Sequence, residues 1–356
     1  MKLVKLAFAI ISILIIAVAA FSYWTYSALS SPNVHDKAET YVTIEKGSTP
    51  NQIIEKLASE GILASKFPVK LYVRAFGNAT NFQAGEYRFQ SPISALQVLN
   101  ELGKGEERTA KLTIPEGFTR FDIAKRIAEN FPQEPPVSED AVLEMMNDTR
   151  LIADFDTKAT NLEGYLYPST YNISPSEKPE EMIAKMVEQF KKIWKPEWND
   201  RARALGKTNR EIITIASLIE TESKFEEERP IVASVIYNRL QRGVPLGIDQ
   251  TAVYIAKMEG RWDGVINKSD LESNSPFNTR RFGGIPPGPI SSPSESAIVA
   301  ALNPAQTEYI FYVLNVGKND GSHSFYASAK DFERAKAAYQ IWLEKERSAQ
   351  RANSNN

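Results

Sequence analysis

The sequence predicts an α+β protein: one apolar N-terminal helix, a short linker, a small first module and a larger mixed α+β part. Three observations predict it. An uncharged run stands at the N-terminus, a strand–turn–helix unit occurs twice 70 residues apart, and the second half alternates helical stretches with loops dense in Gly and Pro. With 356 residues, of which 42% are hydrophobic, the chain has room for roughly two to three domains.

The apolar run is Leu6 to Trp24, 19 residues without a charge, preceded by Lys2 and Lys5. About 20 apolar residues span a bilayer as a helix, and flanking lysines stay on the cytoplasmic side. Residues 1–5 are therefore expected to be a cytoplasmic stub and 6–25 a single transmembrane helix in the cytoplasmic (inner) membrane, with the bulk of the chain on the outer, periplasmic face. Tyr23, Trp24 and Tyr26 fit an aromatic belt at the outer interface. The alternative is a cleaved signal peptide, since Ala17-Val18-Ala19 has the A-x-A form. The run is longer than a usual signal core and continues past that point. Either way the remainder is exported. Residues 26–39, polar and containing Pro32, read as a linker.

Composition narrows the chemistry. A net charge of −2 leaves no basic footprint for nucleic acid. With no cysteine there are no disulfides, thiolate metal sites or cysteine nucleophiles. His35 and His323 are the only histidines, which excludes a three-histidine zinc site. Acid–base work falls mainly on carboxylates, lysines or tyrosines.

Beyond the linker, Tyr41 to Ile44 reads as a strand. Thr49-Pro50-Asn51-Gln52 then supplies an N-cap, a proline at the first helical position and a capping-box partner. Ile53, Ile54, Leu57 and Ala58 form the apolar face of the helix. The pattern returns at Thr113 to Ala128, where six of sixteen positions match Thr43 to Ala58, including the turn glycine and the capping threonine. Two readings stay open: two ordinary structural units, or a pair of LysM-like glycan-binding modules. Between the copies Ala84 to Phe89 turns into a strand. Pro132 to Pro136 breaks the chain, and a helix begins near Ser138. Leu166 to Tyr171 reads as a packed aromatic loop, and 179–194 as an amphipathic helix whose stripe of Ile183, Met186, Val187, Phe190 and Trp194 is core.

The helix over 209–223 carries a carboxylate where an apolar residue is expected. Stepping about 100° per residue from Glu222, Ile215, Leu218, Ile219 and Ile212 all fall within about 80° of it. Glu220 falls on the far side, beside Ile213 and Ala216. A carboxylate on an apolar face is desolvated, which raises its pKa, as a general acid near neutral pH requires. The alternative is a solvated helix end in which Glu222 pairs with Arg229. Glu226 to Glu228 read as a solvated turn.

The next helix, 230–242, sets Arg239 on the face of Val235, Val232 and Ile236, with Asn238 flanking it. Arg239 needs either a carboxylate partner or a snorkelling path. The Gly/Pro-rich loop Gly283 to Pro289 is expected either to line a cleft or to cross a core edge. Ser292-Pro293-Ser294-Glu295 starts a helix, Tyr309 to Leu314 reads as a buried strand, and His323 reads as structural. Residues 330–347 are helical, and 348–356 are expected to be disordered.

Together these segments resemble the MltG (YceG-like) family of endolytic murein transglycosylases. The resemblance rests on the N-terminal anchor, Ala84 to Phe89, Glu163-Gly164-Tyr165-Leu166-Tyr167-Pro168, Ala216-Ser217-Leu218-Ile219-Glu220-Thr221-Glu222, Val232 to Leu240, Ser275-Pro276-Phe277-Asn278-Thr279 and Gly284 to Ile290, in that order. It implies cleavage within glycan strands of nascent peptidoglycan, beside the penicillin-binding synthases that make them. It implies a LysM-like module over 40–108, then a second repeat unit and connecting segment over 109–200 that completes a catalytic core over 201–347.

The family's catalytic glutamate matches Glu222, the acid singled out by the helical wheel. Asn238, Asp249, Thr251, Asn278 and Thr279 become candidates for holding the glycan, with Glu220 and Arg239 as a supporting ion pair. The chain departs from the family at Leu246-Gly247-Ile248-Asp249-Gln250-Thr251, where the usual pattern is Leu-Gln-Ser/Thr-Asp-Pro-Thr; the departure puts the order of that loop in question. The expected reaction is non-hydrolytic, with one acid–base residue and no metal or cofactor. Its rivals are an inactive glycan-binding membrane protein and a hydrolase using Asp249 as second carboxylate.

Overall fold

A computed structural model describes residues 2–45, 47–76, 82–104, 110–131, 135–174 and 177–354. Lys46 in the first repeat, 105–108 at the end of the first module, Pro132 in the expected break, and Asn355 and Asn356 lie outside the described residues. The chain forms two compact units, Met1–Ala110 with Asn172–Ser176, and Lys111–Tyr171 with Glu177–Asn356.

In the first unit α1 (Lys2–Ser30) is one continuous helix. Its stretch Ile10–Ser30 is long and apolar enough to cross a membrane, and Ile13, Leu14, Ile15 and Ile16 are exposed along it. The helix absorbs residues 26–30, which the sequence reading gave to the linker. Leu29 is the reason: it enters the core of the unit, so burial holds the last turn helical. Then come β1 (Pro32–Asn33), β2 (Val42–Ile44), α2 (Pro50–Ser59), α3 (Lys66–Phe76), β3 (Gly85–Tyr87), β4 (Ile93–Ser94) and α4 (Ala95–Lys104). β2 and β3 pair antiparallel, Val42 opposite Tyr87, and β1 pairs antiparallel with β4. Val42, Ile44, Ile53, Ile54, Leu57, Val69, Tyr87, Val98 and Leu102 fill the core between the strands and helices.

After the first residue of β5 (Ala110–Ile114) the second unit holds the rest of that strand and α5 (Arg120–Asn130), followed by α6 (Glu139–Met145), β6 (Ser169–Ile173) up to Tyr171, α7 (Pro179–Ile193) and α8 (Pro196–Ala204). The repeat read from sequence is a repeat of structure. In both copies a threonine caps the helix through a capping box, Thr49 with Gln52 and Thr119 with Asp122. In both, the turn glycine is left-handed, φ +83° at Gly47 and +75° at Gly117, a conformation that costs glycine nothing. β5 pairs with β6.

The remaining elements are α9 (Asn209–Glu222), α10 (Arg229–Gln241), α11 (Gln250–Met258), α12 (Lys268–Leu271), α13 (Glu295–Leu302), β7 (Phe311–Leu314), β8 (His323–Tyr326) and α14 (Ala329–Ser354). α9 is central, packed by α8, α10, α11 and α13. Every residue from Ile212 to Ile219 is buried, so the helix is enclosed on all sides rather than along one stripe. The loop before α13 crosses its edge, with Ile290, Ser291 and Ser292 buried, the Ile290 amide donating to Ser217 Oγ at 3.1 Å and the Ser291 hydroxyl to the Ser217 carbonyl at 3.1 Å.

Two expectations are corrected. β7 is half-buried, not buried, because among the described residues it pairs only with β8 and packs on α14. Residues 348–354 continue α14 as helix; the run Ser-Ala-Gln-Arg-Ala contains strong helix formers and no glycine or proline to end it.

Candidate active site

Glu222 is the last residue of α9, and Ser223 leaves the helix in extended conformation, φ −126°. The carboxyl is half-buried. Burial pushes its pKa above the usual carboxylate range, and the negative charge of Asp249 pushes the same way. A hydrogen bond from Tyr312 and the positive fields of His323 and Arg239 oppose the rise. The Tyr312 hydroxyl donates to Glu222 Oε2 at 2.5 Å. Burial and the neighbouring Glu222 hold that phenol far above its ordinary pKa, so it remains a donor. No salt bridge to Glu222 occurs among the described residues, and Arg229, the partner considered from sequence, points elsewhere.

Arg229 pairs with Glu220. Its Nη2 lies 2.8 Å from Glu220 Oε1, both side chains 5% exposed. Glu220 Oε2 accepts from the Ser294 amide at 2.8 Å and its hydroxyl at 2.5 Å, while Arg229 Nη1 donates to Ser294 and Ser296. The expected Glu220–Arg239 ion pair is therefore corrected. Glu220 ties α9 to α10 and to the start of α13. Arg239 lies on the side of Glu222 and spends its donors on backbone: Nε to the Ile310 carbonyl at 2.6 Å and Nη1 to the Leu246 carbonyl at 2.5 Å. Its guanidinium also covers the Phe311 ring.

Asn238 behaves likewise, donating through Nδ2 to the carbonyls of Thr307 and Tyr309, each at 2.8 Å. Asn278 is wholly buried, and its amide donates to the Leu271 and Ser273 carbonyls. Thr251 and Thr279 are buried beside each other, their hydroxyls 3.2 Å apart. These four side chains organise loops. Asp249 is different: its side chain is 46% exposed and pairs with Arg280, and its charge acts on Glu222.

The departure at Gly247-Ile248 leaves the loop ordered. The Gly247 amide donates to the Thr279 carbonyl and the Ile248 amide to the Thr279 hydroxyl, each at 2.9 Å. Ile248 is buried. Gly247 is left-handed, φ +64°, and a Cβ there would press on Arg239 Nη1 at 3.3 Å, so glycine suits this version of the loop.

Sequence reasoning missed Tyr312. Its strand was recognised, but nothing local shows that one of its side chains meets a helix end 90 residues earlier. It also missed the hydrogen bond between His323 Nδ1 and Glu228 Oε2 at 2.9 Å, although it read that histidine as structural. The His323 ring packs edge-on against Tyr312. The arrangement supplies one carboxyl whose pKa burial raises, oriented by a neutral donor, at a half-buried helix terminus.

Similar proteins place the chain. The YceG-like family model matches residues 42–338. An endolytic murein transglycosylase of Bacillus subtilis is 30% identical, covering 88% of each chain. One of Streptococcus pneumoniae is 28% identical over 94% of this chain and 64% of its own length. A crystal structure of a yceG-like protein of Listeria monocytogenes superposes with TM-score 0.55 at 28% identity, covering 83% of this chain and 98% of that one. The chain therefore belongs to the YceG-like family.

Proposed function

We propose that this protein is a membrane-anchored lytic transglycosylase that cleaves MurNAc-β-1,4-GlcNAc bonds within nascent peptidoglycan strands, leaving 1,6-anhydroMurNAc ends. The names of the curated relatives support the reaction class. The observation that carries the mechanism is the Glu222 carboxyl, lifted in pKa by burial and unpaired by any salt bridge among the described residues.

Protonated Glu222 donates to the glycosidic oxygen as the C1–O bond breaks. The resulting carboxylate takes the proton of the muramic C6 hydroxyl, which attacks C1 and closes the anhydro ring. Most glycosidases need two carboxylates because one must activate water or act as nucleophile. Here the nucleophile belongs to the substrate, so one residue serves as acid and then base.

The order β2, α2, α3, β3 with its antiparallel strand pair supports reading residues 40–108 as a LysM-like glycan-binding module. The apolar α1 supports an anchor with the enzyme on the outer face. An anchor beside growing strands puts peptidoglycan synthases within reach as partners.

Full-length protein in detergent, incubated with purified murein, tests this reading. Anhydro ends by mass spectrometry support it, reducing ends make the protein a hydrolase, and absence of cleavage leaves a binding protein.

A further inference from the structure

Resting on that reading, we propose that Tyr312 is a positioning residue for Glu222: by bonding Oε2 it leaves Oε1 to carry the transferable proton, and Asn238 and Arg239 hold it there through the backbone leading into β7. The geometry is continuous. Asn238 binds the carbonyls of Thr307 and Tyr309, and Arg239 that of Ile310. These precede β7, whose second residue reaches Oε2 at 2.5 Å. On its other side Tyr312 stands edge-on to His323 with ring centroids 5.4 Å apart, and His323 is fixed by Glu228. The phenol is thus held from the α10 side and from β8.

A carboxylic acid has one proton. A donor fixed on Oε2 makes that oxygen an acceptor, so the proton resides on Oε1 and points along one direction. When Glu222 delivers it, the same phenol stabilises the carboxylate that must next accept the C6 proton. The pairing Asn238-Arg239, read from sequence as contacting sugar or ion-pairing with Glu220, acquires a different task. It is a strut between α10 and β7.

The groups facing Glu222 are Tyr312 from β7, His323 from β8, Arg239 from α10 and Asp249 ahead of α11. Among them Tyr312 alone donates a hydrogen bond to the carboxyl. Removing the phenol oxygen takes away a bond that favours the carboxylate, so Glu222 holds its proton to higher pH.

The test uses the full-length protein in detergent, releasing anhydro-muropeptides from purified murein across pH. Tyr312→Phe keeps the ring packing. It is expected to lower the rate roughly 10- to 100-fold, the effect of losing one hydrogen bond to a charged group, and to move the basic limb of the profile to higher pH. Asn238→Ala is expected to slow the wild-type background but to add little in the Tyr312→Phe background, because both act through one contact. A Tyr312→Phe protein with wild-type rate and unmoved limb overturns the proposal. Should that variant fail to fold, an Asn238→Ala profile with an unmoved basic limb overturns it. Additive costs of the two changes overturn the strut. Wild-type and Glu222→Gln digests are read first: reducing ends, or an active Glu222→Gln, defeat the parent reading instead.

Discussion

Glu220 and Glu222 sit two residues apart on one helix and live in opposite chemical surroundings. Glu220 is 5% exposed and carries an arginine on one oxygen and a serine amide and hydroxyl on the other. Glu222 is half-buried, has one neutral phenol and is lifted in pKa. Burial alone does not make a carboxyl an acid. A buried carboxyl given a cation and good donors braces the fold; one given a neutral donor, with Asp249, His323 and Arg239 acting on it only from a distance, has its pKa raised by burial.

The comparison breaks most easily at its active end. Glu222→Gln should reduce release of anhydro-muropeptides by roughly 10²- to 10⁴-fold, the usual worth of a general acid–base residue. Its thermal stability should be unchanged or higher, because a half-desolvated acid is replaced by a neutral isostere. Glu220→Gln should do the reverse to stability. It removes the buried partner of Arg229, leaving Glu116 at 3.8 Å as its remaining carboxylate, and should cost up to about 3 kcal/mol in urea unfolding. Replacing both partners, Glu220→Leu with Arg229→Met, should recover much of that loss, since an apolar pair of similar volume suits the same place.

Glu163 sharpens the contrast with a third acid. It is 2% exposed, and both its oxygens accept the Arg120 amide at the start of α5. Burial raises its pKa to about 7. With a folded-state pKa above its unfolded value near 4.5, the folded protein binds the extra proton. Its stabilising contribution is complete below pH of about 4.5 and is lost as pH rises through about 7. Melting temperature should fall across that window, by the equivalent of roughly 1–3 kcal/mol, and Glu163→Gln should flatten the fall. The smallest effect belongs to Asp249→Asn. Removing that charge lowers the Glu222 pKa, so the basic limb of the activity profile should move to lower pH, with a change of up to about 5-fold at fixed pH, as for an exposed charge.

Local signals carried much of this into the sequence. The capping threonines, the turn glycines and the helix containing Glu222 are written in spacing, because capping and periodicity are properties of neighbouring residues. Glu222 stood out for the same reason: a charge in an apolar pattern is visible within one turn of helix. Its partner was not visible, since Tyr312 reaches it through a strand 90 residues on. The misassigned ion pair has the same origin. A helical wheel orders the residues of one helix but does not say which arginine of the next helix faces which acid. Asn238, Thr251, Asn278 and Thr279 were identified as polar and purposeful, but polarity alone does not separate a sugar contact from a backbone tether. In the structure these side chains bond to carbonyls and to each other, contacts that no single stretch of sequence displays.

The central claim is that the substrate's own hydroxyl, not water, attacks once Glu222 has given up its proton. It is tested by digesting murein with the full-length protein in ¹⁸O-labelled water and weighing the new muramic ends. Attack by the C6 hydroxyl gives ends lighter by one water than the reducing sugar, free of ¹⁸O, and lost in Glu222→Gln. Reducing ends carrying ¹⁸O would contradict it.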